Sequence, residues 1–190
     1  MDSESAATKI RLLYDEHGAE VYYRDHAATY ENPHLPQVQD LLKRNFHRLD
    51  CSGKILDFAA GGGEVTQTLR ALGAQELAGC DPYTFELFEK KTGLRCSKLS
   101  FMDVIVHGLP EQYSTIVSSF ALHLCPPKKL FSLAWNLLQS TPLLVVITPH
   151  KRPGLETLPG IALQWEDVVE NQHGKKVRIK AYGLVAHPGQ

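Results

Sequence analysis

Lys54 to Thr68 reads KILDFAAGGGEVTQT, and the fold follows from how this stretch is read. Ile55, Leu56 and Phe58 give Lys54 to Phe58 the apolar character of a short buried strand. Ala59, Ala60, Gly61, Gly62 and Gly63 come next. Five residues with little or no side chain cannot build a core. They can turn sharply and let another molecule approach the backbone, because glycine has no Cβ and accepts positive φ. From Glu64 to Leu72 the pattern becomes helical, with Val65, Leu69 and Leu72 on one face. Strand, glycine turn and helix N-terminus together form the usual nucleotide-binding corner of an open α/β sheet.

Two nucleotide readings compete. A dinucleotide fingerprint needs a third small residue in G-x-G-x-x-G/A, for close helix–strand packing. Here Thr66 stands in that place. The other reading places an acid at the strand end, as Asp57-x-Ala59-x-Gly61-x-Gly63. This resembles the first motif of class I S-adenosylmethionine (SAM) dependent methyltransferases, Asp/Glu-x-Gly/Ala-x-Gly-x-Gly. The resemblance implies SAM as cofactor and S-adenosylhomocysteine (SAH) as product. It implies that Ala59, Gly61 and Gly63 pack against the methionine end of the ligand, where Asp57 suits the ammonium. A glycine turn that merely closes a βα unit is the competing structural explanation.

A chain of 190 residues with 43% hydrophobic content fits a single α/β domain with its own core. Lys and Arg number 20 against 21 Asp and Glu, so no global charge marks the chain for nucleic acid. No apolar run approaches the ~20 residues that span a bilayer. The start, MDSESAATK, is polar and acidic, unlike a secretory signal. Cys51, Cys80, Cys96 and Cys125 form no C-x-x-C pair and read as reduced thiols of a cytoplasmic protein.

In chain order, residues 1–8 are expected to be disordered, 10–47 to form a helical lid, and 54–186 to form the SAM-binding core of one methyltransferase domain. Within the lid, Gln37 to Phe46 carries the apolar stripe Val38, Leu41, Leu42 and Phe46. Related methyltransferases fold a helix bearing Tyr and Arg over the SAM carboxylate, which nominates Arg24 and Tyr30. Glu76 to Cys80 reads as a second strand ending at Asp81. An acid about 20 residues beyond the glycine turn can accept from both ribose hydroxyls. As Asp81-Pro82 it can also cap a helix. Tyr83 is placed to pack on the adenosine, at the start of a helix to Lys91.

Leu94 to Leu99 reads as a weak third strand, followed by Ser100-Phe101-Met102-Asp103. The resemblance puts an adenine-amino acceptor at Asp103 and an apolar neighbour at Met102. Tyr113 to Ser119 is the fourth strand; its carboxyl end borders the ligand crevice of an open sheet, which places Ser119 against the cofactor. Phe120-Ala121-Leu122-His123-Leu124 follows and resembles the fourth motif of the ubiquinone/menaquinone-biosynthesis-like branch. His123 is the resulting candidate for a catalytic residue; a structural histidine is the alternative. Pro126-Pro127 opens a helix through Leu138, and Pro142 to Thr148 is an apolar fifth strand. Residues 161–171 and 177–186 read as a hairpin.

The resemblance, from about residue 20 to 186, implies a three-layer Rossmann-like α/β/α domain. Its sheet would be mostly parallel and seven-stranded, closing with an antiparallel C-terminal hairpin strand. The connection from Lys151 to Ile161 is short where many relatives carry substrate-binding insertions. The expected reaction is methyl transfer from SAM to a small-molecule acceptor by in-line displacement. Two alternatives stay open: an RNA or protein methyltransferase working with a partner subunit, or a SAM-binding module without catalysis.

Overall fold

The computed structural model describes residues 32–149, 152–170 and 174–185. The expected disordered start, the lid as far as residue 31, Arg24 and Tyr30 lie outside the described residues. Within them, seven strands form one sheet: β1 (Ile55–Phe58), β2 (Leu77–Cys80), β3 (Cys96–Ser97), β4 (Thr115–Ser119), β5 (Leu144–Thr148), β6 (Ile161–Glu170) and β7 (Lys176–Leu184). Their order is β3-β2-β1-β4-β5-β7-β6. Strands β1 to β5 pair in parallel, and β7 runs antiparallel to both β5 and β6. The described helices are α1 (Leu35–Asn45), α2 (Glu64–Ala71), α3 (Phe85–Thr92), α4 (Phe101–His107) and α5 (Pro127–Leu138). None is long and apolar enough to cross a membrane. This is the mostly parallel α/β/α sheet with its antiparallel final hairpin that the motif order implies.

The strands alternate their side chains between two cores, as a period of two requires. Leu56, Phe58, Ile116, Leu144 and Val146 pack with Val104 of α4 and with Leu133, Ala134 and Leu137 of α5. Ile55, Val117, Val145 and Ile147 face the other way, against α1 through Val38, Leu41 and Leu42 and α2 through Val65 and Leu69. Both faces are therefore covered, which is why the central strands read as continuous apolar runs.

Two elements differ from the sequence reading. The third strand has two residues rather than six, because Arg95 and Lys98 interrupt the apolar run that pairing would bury. Ser100 to Asp103, read from the sequence only as an adenine-facing stretch, begins helix α4. Ser100 is its N-cap, and Asp103 completes a capping box.

Among its described residues, the short link between β5 and β6 contains one 3-10 turn, Leu155–Thr157. Leu155 is fully buried. Glu156 next to it accepts from Lys180 Nζ at 2.7 Å and from Tyr182 Oη at 2.9 Å, both on β7. These bonds tie the link to the sheet.

Candidate cofactor site

The site is built where the sheet changes direction. From β1 the chain moves outward one way through β2 and β3, and from β4 the other way to β5. The carboxyl ends of β1 and β4 therefore flank the crevice where open α/β sheets bind ligands. A cavity of about 380 Å³ lies there. Ala59, Gly61, Asp81, Tyr83, Met102 and Ser119 all line it. The fold thus brings six of the expected residues to one wall.

The glycine loop leaves β1 with left-handed backbone at Ala59 (φ 57°), Gly61 (φ 56°) and Gly63 (φ 82°). Phe120, just beyond β4, also has positive φ (56°). Among the described residues Ala59 and Phe120 are the non-glycine positions in this region, and both line the cavity. Backbone strain of this kind gathers at ligand sites, held by surrounding structure. Here Phe120 N–H donates to Ile147 O at 2.8 Å, and the Phe120 ring stacks on His34 at 5.2 Å.

Asp57 does not line the cavity; it is buried, 1% exposed. Its Oδ2 accepts from Thr66 N–H at 3.0 Å and Thr66 Oγ1 at 2.8 Å. Gly63 at the N-cap of α2 has no side chain to satisfy the first turn, and Asp57 does so from the strand. This explains the departure from the dinucleotide fingerprint. Thr66 stands at the third small position because its hydroxyl serves Asp57.

Burial pushes the Asp57 carboxyl up to about 8, although the bonds from Thr66 pull it the other way. The folded protein then holds this proton more tightly than the unfolded chain, whose ordinary value is 3.8. The Asp57 contribution to stability is accordingly full below that value. It falls as pH rises toward about 8 and is level above. Urea unfolding of the native chain and of Asp57→Asn at pH 5.5, 7 and 8.5 is expected to show the difference between them shifting in favour of Asn as pH rises. A difference independent of pH would mean that the carboxyl is ionised throughout.

Asp81 is 7% exposed. Its Oδ1 accepts from the N–H groups of Tyr83 and Thr84, each at 2.9 Å, and its Oδ2 from Gly61 N–H at 3.1 Å. The capping and cavity-lining readings of this residue therefore hold together. A carboxylate has about four acceptor positions. Three are taken by these backbone donors, and one remains on Oδ2.

Met102 lies on the rim, 43% exposed, and Lys129 Nζ approaches its sulfur at 3.1 Å. Asp103 does not line the cavity. Its Oδ2 accepts from Ser100 N–H at 2.8 Å and Ser100 Oγ at 2.6 Å, bonds that hold its carboxyl below the usual range. Ser100 faces the cavity instead. The S-x-x-D spacing in Ser100 to Asp103 was the signal for this arrangement. Gly63, at the end of the loop and N-cap of α2, does not line the cavity, and neither does His123, in the 3-10 turn Leu122–Leu124. Its neighbours Leu124 and Cys125 do line it, as do Phe101 and Ile105 of α4. Phe101 stacks on Phe58 at 5.8 Å and so fixes α4 against the end of β1.

Ser119 Oγ is buried with no hydrogen-bond partner among the described residues. A buried hydroxyl without a protein partner is rare and is ordinarily completed by an ordered water or a bound group. The wall is otherwise mostly apolar with a few converging polar groups, the usual makeup of a small-molecule site. Among the described residues no cluster of His, Cys, Asp and Glu could hold a metal ion.

No protein-family model matches the chain. It is 31% identical to the uncharacterized protein C17A5.05c of Schizosaccharomyces pombe, covering 73% of this chain and 74% of that protein. In structure it is similar to magnesium protoporphyrin IX methyltransferase ChlM from Synechocystis PCC 6803 with bound SAM. The TM-score is 0.64 at 14% identity, over 93% of this chain and 96% of the other. It is similar to the N-methyltransferase NodS of Bradyrhizobium japonicum WM9 in complex with SAH, with TM-score 0.65 at 14% identity, over 87% and 98%. The ribosomal protein L11 methylase of Lactobacillus delbrueckii subsp. bulgaricus gives 0.57 at 13% identity, over 83% and 81%. Identities this low speak to the fold. The chain has the class I SAM-dependent methyltransferase fold and belongs to one family with protein C17A5.05c of fission yeast.

Proposed function

We propose that this chain is a SAM-dependent methyltransferase. The observation that carries the proposal is the union of a left-handed glycine loop, a buried acid behind it and a second acid at the next strand end. The loop and the second acid line one cavity at the switch point of this fold, and the buried acid holds the first turn of the helix behind it. The residues present fit the donor. Asp81 keeps one acceptor position for a ribose hydroxyl, Ser119 offers a hydroxyl without a partner, and Phe101, Met102 and Ile105 give an apolar wall for a purine. Bound there, SAM supplies an electrophilic methyl group on a sulfonium. The chain's task is to hold donor and acceptor in line, which lowers a barrier through proximity. A base is required only for an acceptor that carries a proton. His123 is off the cavity wall, and no chemical step is assigned to it.

For the acceptor, a small molecule is the first reading, on the resemblance of Phe120 to Leu124 to the ubiquinone-like branch. A second reading, RNA or protein with a partner subunit, is favoured by the short link after β5. Among its described residues a single 3-10 turn stands where a substrate cap would be. Cys51, Cys80, Cys96 and Cys125 are all free thiols, which suits a reducing compartment such as the cytoplasm.

The test is calorimetric titration with SAM, SAH and, as control, NAD. Micromolar binding of the first two and none of NAD is expected. Failure of both SAM and SAH to bind would overturn the proposal for the isolated chain.

A further inference from the structure

Thr84 is the N-cap of α3, yet its side chain makes no capping bond. A threonine there ordinarily accepts from an amide in the first turn. Instead Thr84 Oγ1 donates to Gly61 O at 2.8 Å, across 23 residues of sequence. Thr84 N–H donates to Asp81 Oδ1, and Asp81 Oδ2 accepts from Gly61 N–H. Gly61 is thus held by its own N–H through Asp81 and by its own carbonyl through Thr84. Both grips come from the turn after the neighbouring strand. Thr84 is 1% exposed and does not line the cavity, so it acts on a ligand only through the loop.

We propose that Thr84 is a positioning residue of the cofactor site, fixing the Gly61 peptides in the left-handed bend that gives the cavity its floor. The proposal rests on the SAM reading of the site. It makes Asp81-x-x-Thr84 a two-point clamp on the glycine loop, with the acid contacting both loop and ligand and the hydroxyl contacting the loop alone. Valine at this position keeps the shape and removes the donor, leaving the half-buried Gly61 carbonyl without its partner. Serine keeps the donor.

The experiment compares the native chain with Thr84→Val and Thr84→Ser in two measurements. Calorimetry with SAH is expected to show roughly tenfold weaker binding for Val, the effect of about one hydrogen bond. Binding by Ser should stay close to native. Amide exchange without ligand should quicken at Gly61 to Gly63 in Val and stay unchanged in β5. Native-like affinity in Val would overturn the proposal, as would equal losses in Val and Ser, since shape rather than the hydroxyl would then be at work. If Val does not fold, Thr84→Ala replaces it, removing the same donor with less buried bulk. If the native chain binds neither SAM nor SAH, the reading of the site fails. Amide exchange alone then decides the clamp, with unchanged protection in Val overturning it.

Discussion

Asp81→Ala is expected to remove measurable SAM and SAH binding and to lower stability by about 3 kcal/mol. Both effects come from one carboxylate. Its two oxygens accept from Gly61, Tyr83 and Thr84 N–H groups, and alanine leaves those donors without the acceptor that orders them. A buried donor left unsatisfied costs ~1–3 kcal/mol, and water entering the enlarged cavity recovers part of the sum. The loss of binding has two sources that add: the missing acceptor for a ribose hydroxyl, and a glycine loop released at one end. Urea unfolding and calorimetry on the same preparation separate them. Native affinity in the variant would sink the ribose assignment. Native stability with lost binding would mean that the three amides find other partners.

Gly79→Ala is expected to cost about 3 kcal/mol without touching the cavity, at the upper end for overpacking a core. Gly79 lies in β2 between Asp57 of β1 and Cys96 of β3. A Cβ there would meet Phe88 Cζ at 2.2 Å and both Cε atoms at 2.6 Å. The Phe88 ring is fully buried and occupies the space that a side chain on β2 would need. Glycine is required here for room, since its φ is not among the positive ones. Phe88→Leu shortens the ring's reach, so the double substitution should be less destabilised than the two single changes added together. Strict additivity in denaturation experiments would show that the two residues do not compete for this space.

The comparison of sequence with structure is clearest at particular residues. The run from Ile55 to Gly63 was legible because a buried parallel strand must be apolar and a left-handed turn favours glycine. Strand β5 was legible for the first of those reasons. The role of Asp57 was not. Residue type and spacing place an acid near the loop, but they do not say whether it faces the ligand or the helix behind. Thr66 decides that, and it looked like a defect in a motif. Asp103 was assigned to the adenine because a family pattern puts an acid there. The capping box with Ser100 uses that carboxylate locally, and hydrogen bonds over three residues form more readily than long-range ones. Thr84 and Gly79 were invisible because each matters through one contact with another element, with Gly61 and Phe88 respectively.

Helix α4 carries a different kind of consequence. Its seven residues are too few to hold helical form alone. It is kept by its capping box, by the Phe101 stack on Phe58, and by Asn136 of α5, whose Nδ2 donates to the carbonyls of Val104 and Ile105 at 2.8 and 3.0 Å. The glycine loop and the strand ends supply the floor of the cavity, and this borrowed helix supplies a side wall. Inherited change can therefore fall unequally on the two. Residues at the strand ends are bound to each other and resist replacement, while the side wall can be lengthened, tilted or refaced through a few contacts. A change in what the pocket admits is therefore most accessible through α4, with the sheet left as it stands.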